Sequence, residues 1–419
     1  MGILTTAARI WLTRTFRPFH FSNERDDRLV FHSAKKLGLY LHIPFCRSIC
    51  AFCPYCKTLF DQALATRYVN ALLGEIEMVG KMAPGGKTHV TSVYFGGGSP
   101  SLVVDEIQRI IARVQKHFIV SEGIGLEIHP QEVTEETLLK LNRAGVTKIS
   151  IGVQSFQEEY LDILGRPHVD FEPMFEALSK VPFETVSMDF IFALPRQTID
   201  LLKADIELAF RRGANHIALY PFIDFTFTQR KFPKMKEAQK KVLLYQLVQY
   251  CESRGYTRDS IWTFSKDGTS KYSSMTRENF LGFGCSSTTL LKDQFKINTF
   301  DANQYIDSIE NGTLATALTL TFTHRQRMVY YLFWAAYSMR INKRDFDTFF
   351  GASLDDCYKM ELRIARLLGW VRKENDSYVM TTKGSYYYHY FEHFYTLSYI
   401  DRMWNLMRGT AFPEGLAIR

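Results

Sequence analysis

Leu37-Gly38-Leu39-Tyr40-Leu41-His42-Ile43-Pro44-Phe45-Cys46-Arg47-Ser48-Ile49-Cys50-Ala51-Phe52-Cys53-Pro54-Tyr55-Cys56 is the stretch on which the fold turns. Leu37 to His42 reads as an apolar strand, and the following loop carries four of the chain's seven cysteines within eleven residues. The other three, Cys251, Cys285 and Cys357, are scattered and read as structural. An odd total argues against a disulfide scaffold, so a tight cluster reads as a metal or cluster site. Structural zinc usually takes two separated Cys-x2-4-Cys pairs. Here one loop holds Cys46, Cys50 and Cys53 as C-x3-C-x2-C. Three thiolates from one short loop can hold three irons of a cubane and leave the fourth open for chemistry.

Outward from this loop, short apolar strands alternate with amphipathic helices as far as about residue 225. Strands are expected at Val90–Phe95, Ile124–Ile128, Lys148–Val153, Val186–Phe192 and His216–Tyr220. Helices are expected at Ala65–Met82, Val104–Phe118, Thr134–Arg143 and Thr198–Arg212. Six βα-like units predict an α/β fold, a parallel sheet curled into a partial (β/α)6 barrel, with a flat doubly wound sheet as the alternative. Polar or glycine-rich residues follow the strands, which gathers them on the C-terminal rim. Gly96-Gly97-Gly98 lacks the Lys-Ser/Thr of a phosphate loop. It allows close backbone approach to a ligand, or simply a tight turn.

The pattern changes after about residue 230. A helix at Ala238–Arg254 and a strand or turn at Phe280–Cys285 are expected. From about 323 to 384 the order is helix, short helix, helix and β wing: Arg325–Met339, Lys343–Phe350, Tyr358–Leu368, then a hairpin of Trp370–Arg372 and Tyr378–Thr381. The expected organisation is a basic amphipathic arm over 1–36, the partial barrel over 37–230, an extension over 231–318 and a winged-helix-like α+β domain over 319–419. In the tail, Tyr387, Phe391, Tyr395 and Tyr399 share one helical face, read as a packing surface rather than a ligand-stacking wall.

Apolar residues make up 46% and charged residues 23%, ordinary globular values. The net charge of +7 is too weak to argue for nucleic acid, so the wing reads as a packing element. No apolar run approaches the roughly 18 residues needed to span a bilayer, and Val329 to Met339 reads as a buried helix. The first 21 residues interleave Arg9, Arg14 and Arg17 with Trp11, Phe16 and Phe19. They lack a signal peptide's apolar core, so a cytoplasmic protein is expected. An arm packed on the protein is preferred there over a peripheral membrane contact.

The strand Tyr40–Phe45 running into C-x3-C-x2-C, with a second strand ending in Gly96-Gly97-Gly98-Ser99-Pro100, closely resembles the radical S-adenosylmethionine (SAM) enzymes. Gly152-Val153-Gln154-Ser155-Phe156 and Asp189 to Thr198 resemble later motifs of the oxygen-independent coproporphyrinogen III dehydrogenase family. The resemblance covers about residues 37–300 and extends to the C-terminal unit. It implies that Cys46, Cys50 and Cys53 ligate a [4Fe–4S] cluster whose open iron chelates the methionyl part of SAM. It further implies SAM contacts from Tyr40, Phe52, Gly96, Gly97, Ser99, Glu127, Gln154, Arg166 and Asp189. Arg166 and Asp189 supply the opposite charges a zwitterionic sulfonium needs, or else form an ion pair on the rim. The implied chemistry is reductive cleavage of SAM to a 5′-deoxyadenosyl radical that takes a hydrogen from a bulky substrate such as a tetrapyrrole. An electron donor such as flavodoxin or ferredoxin is implied with it.

Two features depart from the dehydrogenase. Residues 1–36 carry no Arg-Tyr-Thr-Ser-Tyr-Pro-like motif, and Cys56 follows Cys53 by three residues rather than two. Cys56 reads as a relay or a structural thiol. The related heme chaperones carry a His-Asn-x-x-Tyr-Trp motif, where this chain reads Thr276-Arg277-Glu278-Asn279-Phe280-Leu281 without the His. Methyltransferases that bind two SAM molecules are a further branch compatible with the sequence. The expected function is therefore a radical SAM enzyme, with methyl transfer and heme carriage as alternatives.

Overall fold

The computed structural model describes residues 3–24, 27–229, 232–269 and 278–418. Met1 and Gly2 of the arm, the expected boundary at 230/231, and Thr276 and Arg277 lie outside them. Six parallel strands run in chain order: β1 (Leu37–Ile43), β2 (Val93–Gly97), β3 (Ile124–Ile128), β4 (Lys148–Gln154), β5 (Thr185–Phe192) and β6 (His216–Pro221). Each pairs with the next, the order a right-handed βα crossover produces. They form an open partial barrel.

Helices Gln62–Gly80, Val104–His117, Glu135–Arg143, Glu172–Lys180 and Ile199–Arg211 bury their apolar faces in one continuous core with the strands. Thr134 and Thr198, read as first residues of their helices, are N-caps. Their hydroxyls accept from the N–H groups of Thr137 and Leu201, which a threonine inside the helix would leave unsatisfied. The expected strand Val90–Phe95 is two strands. Thr88–Val90 pairs with Phe118–Val120 beside the barrel. The chain then bends at Thr91-Ser92, where Thr91 N–H donates to Leu37 O and Leu39 N–H to Ser92 O, and enters β2.

The sheet does not stop at β1. A seventh parallel strand, β7 (Asn279–Phe283), pairs with its other edge, and an antiparallel meander follows: β8 (Thr288–Leu290), β9 (Gln294–Asn298) and β10 (Thr316–Thr321). The strand Phe19–Ser22 is inserted between β10 and the terminal strand Gly415–Ile418. Residues 1–36 are thus partly sheet, a pairing that no local pattern in the arm announces. The helix Ile3–Thr13 packs on the protein: Arg325 Nε donates to Leu12 O, Arg14 pairs with Glu361, and buried Arg9 donates to Arg17 O. No helix among the described residues is long and apolar enough to cross a membrane.

In the C-terminal region, helices Lys343–Phe350, Leu354–Cys357 and Lys359–Leu367 precede the hairpin Val371–Glu374 and Ser377–Met380. The strand Arg340–Asn342 adds a third member to this wing. Phe346, Leu354, Tyr358 and Tyr331 form its core. The helix His324–Tyr337 is not buried all round. Trp334 and Tyr337 are only partly covered because they form a cavity wall. The tail continues as Thr382–Tyr395, a π-helical turn at Thr396–Ile400, and Asp401–Gly409. Tyr387 packs on Trp370 and Tyr395 on Phe333, whereas Phe391 stays exposed.

Gly282 of β7 fits only as glycine, since a Cβ there would lie 2.2 Å from Thr288 O. Gly282→Ala is expected to destabilise the chain by about 1–3 kcal/mol by prising β7 from β8. A lowered urea midpoint with an unchanged slope would report it.

Candidate active site

The three cysteines of the C-x3-C-x2-C loop are free thiols, half-buried at the mouth of the barrel. Cys46 sits on a short strand whose carbonyl accepts from Phe60 N–H at 2.9 Å. Lys57 closes the loop, its ammonium donating to the carbonyls of Cys50 at 3.0 Å and Cys53 at 2.5 Å. Burial, reinforced by the neighbouring Cys53 and Cys50, pushes the Cys46 thiol up to about 12, and burial also raises Cys50. Such thiols become thiolates only when a cationic group arrives to be ligated.

The glycines of β2 bring that loop into place. Gly98 N–H donates to Ile43 O at 2.8 Å and Ser99 N–H to Phe45 O at 2.7 Å. A Cβ on Gly98 would lie 2.3 Å from Phe45 O and 2.9 Å from Cys46 Sγ. Gly97 adopts φ +120°, and its N–H donates to Glu127 Oε2 at 3.0 Å. Ser99 is buried, its hydroxyl shared with Ser101 and with His129 N–H.

Inside the barrel, Glu127, Ser150, Ser187 and His216 stand opposite one another on β3 to β6, a polar row across four strands. Asp189 accepts from Ser150 Oγ at 2.9 Å and Ser187 Oγ at 3.2 Å, and Ser187 Oγ also bonds His216 Nδ1 at 2.8 Å. Burial pushes Asp189 up to about 7, partly opposed by Ser150. Burial likewise raises Glu127, against the stabilising bonds from Gly97 N–H and Tyr94 OH, and drives His216 down to about 4. Arg166 is 7% exposed, and Nη1 donates to Gly152 O at 2.7 Å. Burial lowers its pKa while the three thiols oppose that. Among the described residues no ion pair joins Arg166 to Asp189, so the rim-pair reading is set aside. Gln154 adopts φ +70° beside Gly152.

These groups line one cavity of about 640 Å³. Cys46, Cys50, Cys53, Tyr40, Phe52, Gly97, Ser99, Glu127, Gln154, Arg166 and Asp189 all reach it. Gly96 does not: it is buried in β2 behind Tyr40 and Glu127. Its role is close packing, since a Cβ would lie 3.0 Å from the Tyr40 ring. Phe52 packs beside Tyr160, Leu164, Ile191 and Leu194. The far wall comes from residues that sequence reasoning missed: Trp334, Tyr337, Glu392 and Trp404. Trp404 stacks on Phe225 at 5.7 Å and lies 5.8 Å from Tyr55 of the cysteine loop. Arg408 donates to Tyr55 O at 2.9 Å, and Asp401 accepts from Thr226 N–H at 2.7 Å. The aromatic richness of the tail was the available signal. Its regular i, i+4 face pointed to Tyr387, Phe391, Tyr395 and Tyr399, none of which lines the cavity.

A three-thiol loop at the mouth of an open barrel, facing buried carboxylates and a buried guanidinium that pairs with no carboxylate among the described residues, defines a class of protein. The family described as the Radical SAM superfamily matches residues 40–209, so the chain carries a radical SAM domain. Its cofactors are a [4Fe–4S] cluster and SAM. Heme chaperone HemW of Bacillus subtilis (strain 168) is 26% identical over 362 residues, 82% of this chain and 95% of that protein. The oxygen-independent coproporphyrinogen III oxidase of Pseudomonas aeruginosa is 26% identical over 322 residues, 70% of this chain and 69% of that protein. The structure of coproporphyrinogen III oxidase (HemN) from Escherichia coli superposes with a TM-score of 0.74 at 20% identity, over 91% of this chain and 96% of that one. The fold is therefore shared from the barrel through the C-terminal cover.

Gly98→Ala is expected to push the cysteine loop off β2. After anaerobic reconstitution, its iron and sulfide content should fall to background while its circular dichroism matches the parent chain.

Proposed function

We propose that the chain is a radical SAM enzyme, coproporphyrinogen III oxidase-like, that abstracts hydrogen from a tetrapyrrole or a similarly bulky aromatic substrate. The observation carrying this is the single cavity that joins the three thiols to a buried charged floor and an aromatic wall. In this reading Cys46, Cys50 and Cys53 hold the cluster, and Lys57 fixes the loop through its carbonyls. When bound, the cluster and SAM together supply a one-electron, hydrogen-abstracting chemistry.

The chain's own residues position and shield. Arg166, buried and without a carboxylate partner among the described residues, would pair with the SAM carboxylate. Glu127 and Asp189 would accept from its cationic or hydroxyl groups, and Tyr40 and Phe52 would pack against it. Trp334, Tyr337 and Trp404 exclude water, which strengthens each of these polar contacts. A flat aromatic substrate matches this wall, and the relatives named as coproporphyrinogen III oxidases support that substrate class.

Heme carriage is the second reading, favoured by the B. subtilis heme chaperone that the chain matches over nearly its whole length. The two separate in one anaerobic experiment with reconstituted protein, SAM and a strong reductant. Formation of 5′-deoxyadenosine, abolished by Cys50→Ala, is expected. S-adenosylhomocysteine appearing with it on adding substrate would turn the reading to methyl transfer. Stoichiometric tight heme with SAM left intact would overturn the enzyme.

Asp189 also sets a pH dependence. Its ligand-free pKa is raised to about 7, so it is largely protonated below that pH and ionised above it. A cationic ligand requires the ionised form, so binding below pH 7 releases a proton. SAM affinity is expected to rise by up to about tenfold per pH unit until about pH 7 and then level off. Equilibrium binding across that range should show a much flatter profile in Asp189→Asn.

A further inference from the structure

At one side of the same cavity, which His42 and Cys56 help to line, is a second group of metal-ligating side chains that the cluster reading leaves unused. His42 near the end of β1, Cys56 beyond the cluster loop, and Cys285 after β7 offer one nitrogen and two sulfurs, all within 4.8 Å of one another. Among the described residues this is the only such group of His, Cys, Asp or Glu. The three residues are 3%, 7% and 0% exposed. His42 and Cys56 flank the cysteine loop, 14 residues apart, and Cys285 joins them from a segment more than 200 residues further along the chain, which no local turn preference explains.

The surroundings hold these atoms firmly. Cys285 N–H donates to Tyr68 OH at 2.9 Å, and Tyr68 OH donates to His42 O at 2.8 Å. Gly284 N–H donates to the buried carboxylate of Glu75 at 2.7 Å, and Ser286 N–H to Thr299 O at 2.7 Å. Gly97 and Gly284 let the backbone close around His42, because a Cβ on either would lie 2.6 Å from a His42 atom. His42 Nδ1 bonds Tyr40 OH at 3.0 Å, and Nε2 faces Cys56 O at 3.2 Å and Ser286 Oγ at 3.3 Å. Cys56 Sγ donates to Phe300 O at 3.1 Å, and Tyr68 OH lies 3.5 Å from Cys285 Sγ.

We propose that His42 Nε2, Cys56 Sγ and Cys285 Sγ form a mononuclear zinc site, distinct from the cluster loop. Tetrahedral zinc takes sulfur at about 2.3 Å and imidazole nitrogen at about 2.0–2.1 Å, which sets its ligands about 3.5–4 Å apart. The present separations, within 4.8 Å, need a contraction of at most about 1.3 Å to reach that geometry. Two thiolates and a neutral imidazole balance a divalent cation, so the filled site is uncharged, as burial demands. Each thiol gives up its proton to solvent on binding. Ser286 Oγ, or water from the cavity that His42, Cys56 and Ser286 line, completes the fourth position. Tyr40 OH orients the ring through Nδ1, the outer-shell contact that metal-bound histidines keep. The ion would tie the end of the cysteine loop to the turn after β7.

The test is independent of SAM chemistry. A full-length Cys46→Ala/Cys50→Ala/Cys53→Ala variant, which removes the cluster thiols, is purified anaerobically, stripped with chelator and titrated with Co²⁺. One equivalent is expected to bind, with a thiolate-to-cobalt charge-transfer band and tetrahedral visible bands, both bleached by Zn²⁺. Adding Cys285→Ser or Cys56→Ser should remove the charge-transfer stoichiometry. Should either serine variant unfold by circular dichroism, zinc-edge X-ray absorption on the triple variant decides, with two sulfurs and one imidazole expected. No saturable cobalt binding, coordination without two sulfurs, or a Cys56–Cys285 disulfide in the anaerobic metal-free protein would overturn the site.

Discussion

The closeness of the Cys46–Cys53 loop to the end of β2 is the constraint on which the rest depends. Two backbone hydrogen bonds, Gly98 to Ile43 and Ser99 to Phe45, bring the strands' ends together. Only a residue without Cβ fits between Phe45 O and Cys46 Sγ. The same stretch turns Gly97 N–H toward Glu127. Loop position and the orientation of the first buried carboxylate are thereby set by one piece of backbone. Lys57 and Arg408 then secure the outer side of the loop by donating to its carbonyls.

Charge inside the barrel follows from burial. Glu127 stands in a polar row with Ser150 and Ser187, and Asp189 reaches that row through both serines, so that serine hydroxyls and an N–H group satisfy part of the carboxylates' hydrogen-bonding capacity without neutralising them. Burial raises both pKa values, and the guanidinium of Arg166 is held against a carbonyl rather than a carboxylate. An ion pair between Arg166 and Asp189 would have cancelled the site's charges internally. Keeping them apart leaves each available to a ligand with charges of both signs. The His42, Cys56 and Cys285 group adjoins the site through the contact of Tyr40 OH with His42 Nδ1.

The C-terminal third supplies cover rather than chemistry. Asp401 caps onto Thr226 beyond β6, and Trp404 stacks with Phe225, so the last helix is latched to the barrel rim. The helix His324–Tyr337 contributes the facing wall through Trp334 and Tyr337. Its aromatic side chains look like core residues in sequence because a ligand cavity and a protein core present the same apolar demand.

The sequence by itself determined the alternation of strands and helices from β1 to β6, because period-2 and period-3.6 patterns are local and each element carries its own burial face. It also determined the cysteine spacing, and Glu127 and Gln154 sit at the C-terminal ends of their strands, where a parallel sheet gathers residues on one rim, whereas Tyr40 and Asp189 lie mid-strand and Arg166 follows a helix. Other features were decided only by tertiary structure. The pairing of β7 with β1 and of Phe19–Ser22 with β10 joins segments hundreds of residues apart with no local signal. The withdrawal of Gly96 from the cavity follows from the facing of β2 against Tyr40 and Glu127. The meeting of Cys56 with Cys285, and of Trp404 with the cysteine loop, depends on side chains whose neighbours are set by packing. A one-dimensional pattern records which face of an element is buried, but not what buries it.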